Sequence, residues 1–198
     1  MCIRDRWESL KELISKWAFE PISKHSELSF SIGNNRLDLL TRFPSQLKAY
    51  LEWSTATKQK YGSVTTFVLQ NRLHWEPSPP EKCLEGSLFV VAVDTPLTNS
   101  KDYKILVNDW PYGLDKGISH IILWLKHRLP STPEKGDLTP EGRKLIQDFV
   151  ESRFASKFGK QNVLWFRNWT GLQSVRTLEH CHILLRDADQ GQIQQLLT

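Results

Sequence analysis

Two kinds of apolar pattern run along this chain: one-sided stripes at helical spacing, and short β-branched or aromatic runs closed by turn residues. Trp7, Leu10, Leu13, Ile14 and Trp17 form a helical stripe over 7–19 that stops before Pro21. A polar, Asn/Gly-containing link follows. Phe43-Pro44 opens a second helix with Leu47, Tyr50, Leu51 and Ser54 on one face, and Gly62 ends it. Strand-like runs then take over at 64–69, 88–93, 103–107 and 118–125, with a surface loop at 77–82.

Thr139-Pro140-Glu141 is a strong helix start: a hydroxyl cap, a proline whose missing donor costs nothing there, and an acid at the positive end. Leu145, Ile146, Phe149, Val150, Phe154 and Phe158 make its buried stripe, and Gly159 its stop. Strands at 163–166 and 180–185 and a short amphipathic tail at 193–197 complete the pattern. These elements predict an α+β domain: a largely antiparallel sheet, one long helix across a face, and two N-terminal helices. Residues 7–62 read as a helical extension of the 63–198 region, all in one compact domain.

Composition narrows the function. Of 198 residues, 39% are hydrophobic and 24% charged, ordinary for a globular protein. No apolar run approaches the roughly 20 residues that cross a bilayer, and the net charge of +4 is scattered, so neither a membrane nor a nucleic-acid partner is expected. Met1-Cys2-Ile3-Arg4-Asp5-Arg6 reads like the translated end of a sequencing-library transposon. Residues 1–6 are therefore expected to be foreign to the fold, which leaves any targeting segment undecided. Cys83 and Cys181 then remain, with neither disulfide nor metal spacing, and point to a reducing compartment.

The chemistry concentrates late in the chain. Trp165-Phe166-Arg167-Asn168 leads through Gln173-Ser174-Val175 to Glu179-His180-Cys181-His182. Strand alternation sets His180 and His182 on one face and Cys181 on the other, where it packs as a small hydrophobe. Two imidazoles beside an amide- and hydroxyl-rich turn make a candidate site, with His180 and His182 as the candidate catalytic pair. Such a pair can also share a metal ion, although nothing in the sequence supplies the remaining ligands and no metal is expected. A second polar turn, Asn108-Asp109-Trp110-Pro111-Tyr112-Gly113, precedes His120 in its apolar strand. His25, His74 and His127 lie in polar segments and read as solvated.

The order of strand, turn, strand, long helix, strand, polar turn and His-x-His strand resembles the histidine-triad superfamily of nucleotide hydrolases and transferases. That resemblance implies a histidine attacking phosphorus and an Asn and Gln-Ser turn holding the oxyanion, here Asn168, Gln173 and Ser174. Four residues separate Val175 from His180, and two histidines stand where three are expected, which leaves open whether His180 or His182 would be the nucleophile. The motifs at 108–120, 136–141 and 165–182 are similar to those of the eukaryotic, mainly fungal N-acetylglucosamine-induced protein 1-like family, over roughly 37–187. Membership would imply a cytoplasmic protein of unassigned reaction with a regulatory link to amino-sugar metabolism. The expected ligand is a phosphorylated small molecule, a nucleotide or nucleotide sugar, held by Asn108, Asp109, Trp110, Pro111, Tyr112, His120, Trp165, Arg167, Asn168, Gln173 and Ser174. The competing expectation is a non-catalytic module that offers the same pocket to a protein partner, and no cofactor is specified.

Overall fold

The computed structural model describes residues 24–197, so the expected first helix and the tail at 1–6 lie outside the described residues. Four strands form an antiparallel sheet: β1 Tyr103–Val107, β2 Ile118–Leu125, β3 Val163–Phe166 and β4 Glu179–Arg186, in spatial order β1-β2-β4-β3. The fold is α+β. Ile122 and Trp124 of β2 stand opposite His182 and His180 of β4, and Phe166 of β3 stands opposite His182 from the other side.

Alternation gives the sheet two buried faces. On one, Ile105, Ile121, Leu123, Cys181, Ile183 and Leu185 pack against the long helix. That helix, Pro140–Val150, starts where Thr139 Oγ1 accepts the Gly142 N–H, and it continues through a wider π turn, Glu151–Ala155, into Ser156–Phe158. Ile146, Phe149, Val150 and Phe154 are its buried stripe. The tail adds a short helix, Gln190–Gln194, which buries Ile193.

The second face carries Ile122, Trp124, His120, His180, His182 and Leu184. Chain from the N-terminal side covers it. The polar link contains a helix, α1, His25–Gly33, whose Leu28 packs with Phe166 and Leu184. Helix α2, Pro44–Tyr61, ends at Gly62 with φ 79°, a left-handed turn that glycine adopts without strain. The expected strand at 64–69 is instead helix α3, Val64–Val68, followed by a π turn, Leu69–Leu73. Ser63 Oγ caps it by accepting the Thr66 N–H at 3.0 Å, and Val68, Leu69 and Leu73 bury a helical stripe. Tertiary burial outweighs the strand preference of Val64, Thr65 and Thr66.

The run at 88–93 is also not a strand. Phe89 alone is deeply buried, while the Ala92 and Val93 N–H groups donate to the Asp102 carboxylate rather than to a neighbouring strand.

Candidate functional site

Between the second sheet face and helices α2 and α3 lies a cavity of about 100 Å³. Its floor is Ile122, Trp124, His180 and His182; its walls include Tyr50, Trp53, Phe67, Trp110 and Tyr112; Asn108, Asn168 and Ser174 add polar edges. The cavity therefore gathers the two sequence-distant polar turns and both histidines of β4 into one place. The wall is a continuous aromatic surface, with Trp53 and Trp110 at 5.1 Å and Tyr50 and Trp110 at 5.6 Å between ring centroids. Such a wall suits a base or the apolar face of a sugar.

The imidazoles differ in how they are held. His182 is stacked on Phe166 at 4.7 Å, its Nδ1 lies 2.9 Å from His120 Nε2, and its Nε2 lies 3.3 Å from the Asn168 carboxamide. Both of its ring nitrogens are engaged. His180 donates Nδ1–H to the Leu178 carbonyl at 2.8 Å, so its Nε2 carries the lone pair, and among the described residues no group bonds that nitrogen. Burial holds all three rings below the ordinary imidazole value: His120 is pushed down to about 3, helped by Arg42, and His180 and His182 move the same way. They are neutral at neutral pH.

The positive charge comes from a residue outside the sequence-predicted set. Arg42 lies half-buried in the cavity wall, donates Nη2–H to the Trp110 carbonyl at 2.9 Å, and rests on the Tyr50 ring at 4.3 Å. No carboxylate pairs with it among the described residues, and its buried Nε has no hydrogen-bond partner. Its position before Phe43-Pro44 gave no signal of this, because the contact that brings it in is with a turn far along the chain. At the rim, Asp109 and Arg72 pair at 2.8 Å.

Other expected ligand residues stand elsewhere. Trp165 shares a register position with Ile183, so it faces the long helix, where its Nε1–H donates to Gln147 Oε1 at 2.7 Å. Arg167 is committed to a buried ion pair with Glu179 at 2.6 Å and to the Gly136 carbonyl. Gln173 donates its amide to the Asn168 carbonyl at 2.7 Å and shapes the turn from behind. Pro111 is half-buried beside the cavity without lining it. His120 lies beside the floor on the same sheet face without lining the cavity, stacked on Tyr112 at 5.4 Å. His127, expected in solvent, is buried, with Nε2 at 2.8 Å from the Val93 carbonyl.

Residues 24–186 match the family described as a protein of unknown function, DUF3605. The chain belongs to this family. Within curated proteins, N-acetylglucosamine-induced protein 1 of Candida albicans is 29% identical over 182 residues, covering 87% of this chain and 72% of the relative. The uncharacterized protein YPL067C of Saccharomyces cerevisiae is 27% identical, covering 91% and 78%. A solved structure titled "Crystal Structure of HTC1" superposes with a TM-score of 0.68 at 25% identity, covering 86% of this chain and 91% of that one. The family match spans both polar turns and both histidines of β4, so every residue on the floor and polar edge of the cavity lies inside it. Among the described residues no helix is long and apolar enough to cross a membrane.

Proposed function

We propose that this family member is a cytosolic protein whose cavity binds a phosphorylated small molecule, a nucleotide or nucleotide sugar. The observation that carries the reading is Arg42: a guanidinium drawn into an aromatic cavity, with its Nε unpartnered and no carboxylate to neutralise it among the described residues. A half-buried cation with no counter-ion among the described residues is costly, and an anionic ligand supplies the missing charge with charge-assisted hydrogen bonds. The neutral imidazoles, Asn168 and the Ser174 hydroxyl add polar contacts, and the Tyr50, Trp53 and Trp110 wall accepts a base or sugar.

If the site turns its ligand over as a hydrolase or transferase, the role of nucleophile falls to His180. Its Nδ1 bond to a carbonyl leaves the Nε2 lone pair available for phosphorus, whereas both nitrogens of His182 are occupied. The second reading, a non-catalytic sensor, is favoured by the depth of His180, which is 6% exposed at the bottom of a small cavity.

Thermal stabilisation by AMP, UDP-N-acetylglucosamine, an amino-sugar phosphate and inorganic phosphate tests the reading. A ligand at 100 times its Kd stabilises by about 2.7 kcal/mol, a rise of roughly 5–10 °C in a chain of this size. Arg42→Gln should abolish the rise. A protein that none of the four shifts, or that Arg42→Gln shifts as fully as the wild type, overturns the proposal. Turnover of a bound compound, lost in His180→Asn with binding retained, separates the enzyme from the sensor.

A further inference from the structure

Asn108, His120, His182 and Asn168 form a hydrogen-bonded series along the edge and floor of the cavity, and its direction can be read from one end. The Trp110 backbone N–H donates to Asn108 Oδ1 at 2.9 Å, which fixes that amide and leaves its NH2 group toward the His120 ring, 3.2 Å from Nδ1 and 3.3 Å from Nε2. The NH2 group can donate to either ring nitrogen, but a proton on His120 Nδ1 would meet no acceptor among the described residues, whereas one on Nε2 has His182 Nδ1 at 2.9 Å. A neutral His120 therefore carries its proton on Nε2 and donates it to His182 Nδ1 at 2.9 Å. His182 in turn carries its proton on Nε2, directed at the Asn168 carboxamide 3.3 Å away. The two ends of a carboxamide have the same shape, and hydrogen bonding decides which end is oxygen. The end that faces His182 also faces the Tyr112 hydroxyl at 2.9 Å, and oxygen accepts from both. The opposite end, buried and without a protein partner, is then the NH2 group.

We propose that this chain runs in one direction, from Trp110 through Asn108, His120 and His182 to Asn168. In it His120 and His182 are positioning residues that present the Asn168 NH2 group to the phosphate oxygens of a ligand. The ligand half rests on the phosphate reading above; the chain itself does not. Two buried groups without hydrogen-bond partners, Arg42 Nε and the Asn168 NH2 group, are then both donors, and the exposed Ser174 hydroxyl beside them can also donate. An inward NH2 and outward oxygen would instead set an acceptor beside the bound anion. Burial of the rings keeps both positioning histidines neutral, as the chain requires.

The test is a two-bond nitrogen–proton correlation spectrum of the full chain, labelled with 15N-histidine, at pH 7.5 without ligand, assigned by single-histidine variants. His120 and His182 should both be Nε2–H tautomers and His180 the Nδ1–H tautomer. An Nδ1–H tautomer at His120 or His182 overturns the chain, whatever the protein binds. Asn168→Asp keeps an oxygen for His182 and Tyr112 and replaces the NH2 donor with an anionic oxygen. AMP affinity should fall about 10- to 100-fold, the equivalent of one charge-assisted hydrogen bond. A folded Asn168→Asp protein that binds AMP as tightly as the wild type overturns the donor role. If AMP and inorganic phosphate fail to bind the wild type, the ligand half falls with the phosphate reading, while the tautomers still decide the chain.

Discussion

Acidification should unfold this protein early, and His120 supplies a magnitude. In the unfolded chain its imidazole takes up a proton near the ordinary 6.5; in the fold, burial and the nearby Arg42 hold it down to about 3. Above 6.5 both states are neutral and the contribution is complete. As pH falls below 6.5 the unfolded state binds a proton that the folded state refuses, so stability declines steadily toward pH 3. At pH 5.0 the loss from His120 alone is about 2 kcal/mol, or roughly 4–8 °C in Tm. His180 and His182 shift in the same direction and add to it. Urea unfolding followed by circular dichroism at pH 7.5 and 5.0, a range above ordinary carboxylate titration, measures the loss. His120→Gln should show a pH-dependent loss smaller than the wild type by about 2 kcal/mol. Equal wild-type stability at the two pH values, or an identical loss in His120→Gln, would refute the reasoning.

Arg167→Met should lower stability by about 3–5 kcal/mol in urea titrations, because it strands the buried Glu179 carboxylate, whose remaining partner Arg128 is 3.6 Å away. Gly142→Ala places a Cβ 2.5 Å from the Pro130 carbonyl oxygen, and the backbone shift it forces should cost about 1–3 kcal/mol by the same assay. Trp165→Phe should leave the affinity for any cavity ligand unchanged in calorimetric titration, since its ring packs on the long helix; a large affinity loss would place it back in the site.

What the sequence made legible follows from how local each signal is. β1, β2, β3 and the long helix carry their instructions in adjacent residues: apolar runs ended by turn residues, and Thr139-Pro140 at a cap. The stretch at 64–69 carries a strand preference that only packing on α2 and the sheet could reverse. The run at 88–93 has strand composition but no partner strand, a fact invisible along the chain. At the site, alternation put His180 and His182 on one face with Cys181 behind them, as the structure has it. The same rule, applied across to β3, would have turned Trp165 away, but the pairing register it needs is a tertiary fact. Arg167 and Gln173 look like ligand groups in sequence; their partners, Glu179 and the Asn168 carbonyl, became their neighbours only on folding.

The tie between Arg42 and the Trp110 carbonyl spans 68 residues, and the neighbouring Gly113 N–H donates to the Thr41 carbonyl at 2.8 Å. The wall and the floor of the cavity therefore draw on residues far apart in the chain, from Arg42, Tyr50 and Trp53 to His180 and His182. Arg42, Tyr50 and Trp53 leave the ribosome well before β4 with its two histidines, and the interval is a matter of seconds at ordinary elongation rates. Through that interval the growing chain holds an aromatic face with nothing to close against, which is the kind of surface chaperones recognise. The cavity is completed in one late step, when β4 inserts between β2 and β3 and adds His180 and His182 to the floor.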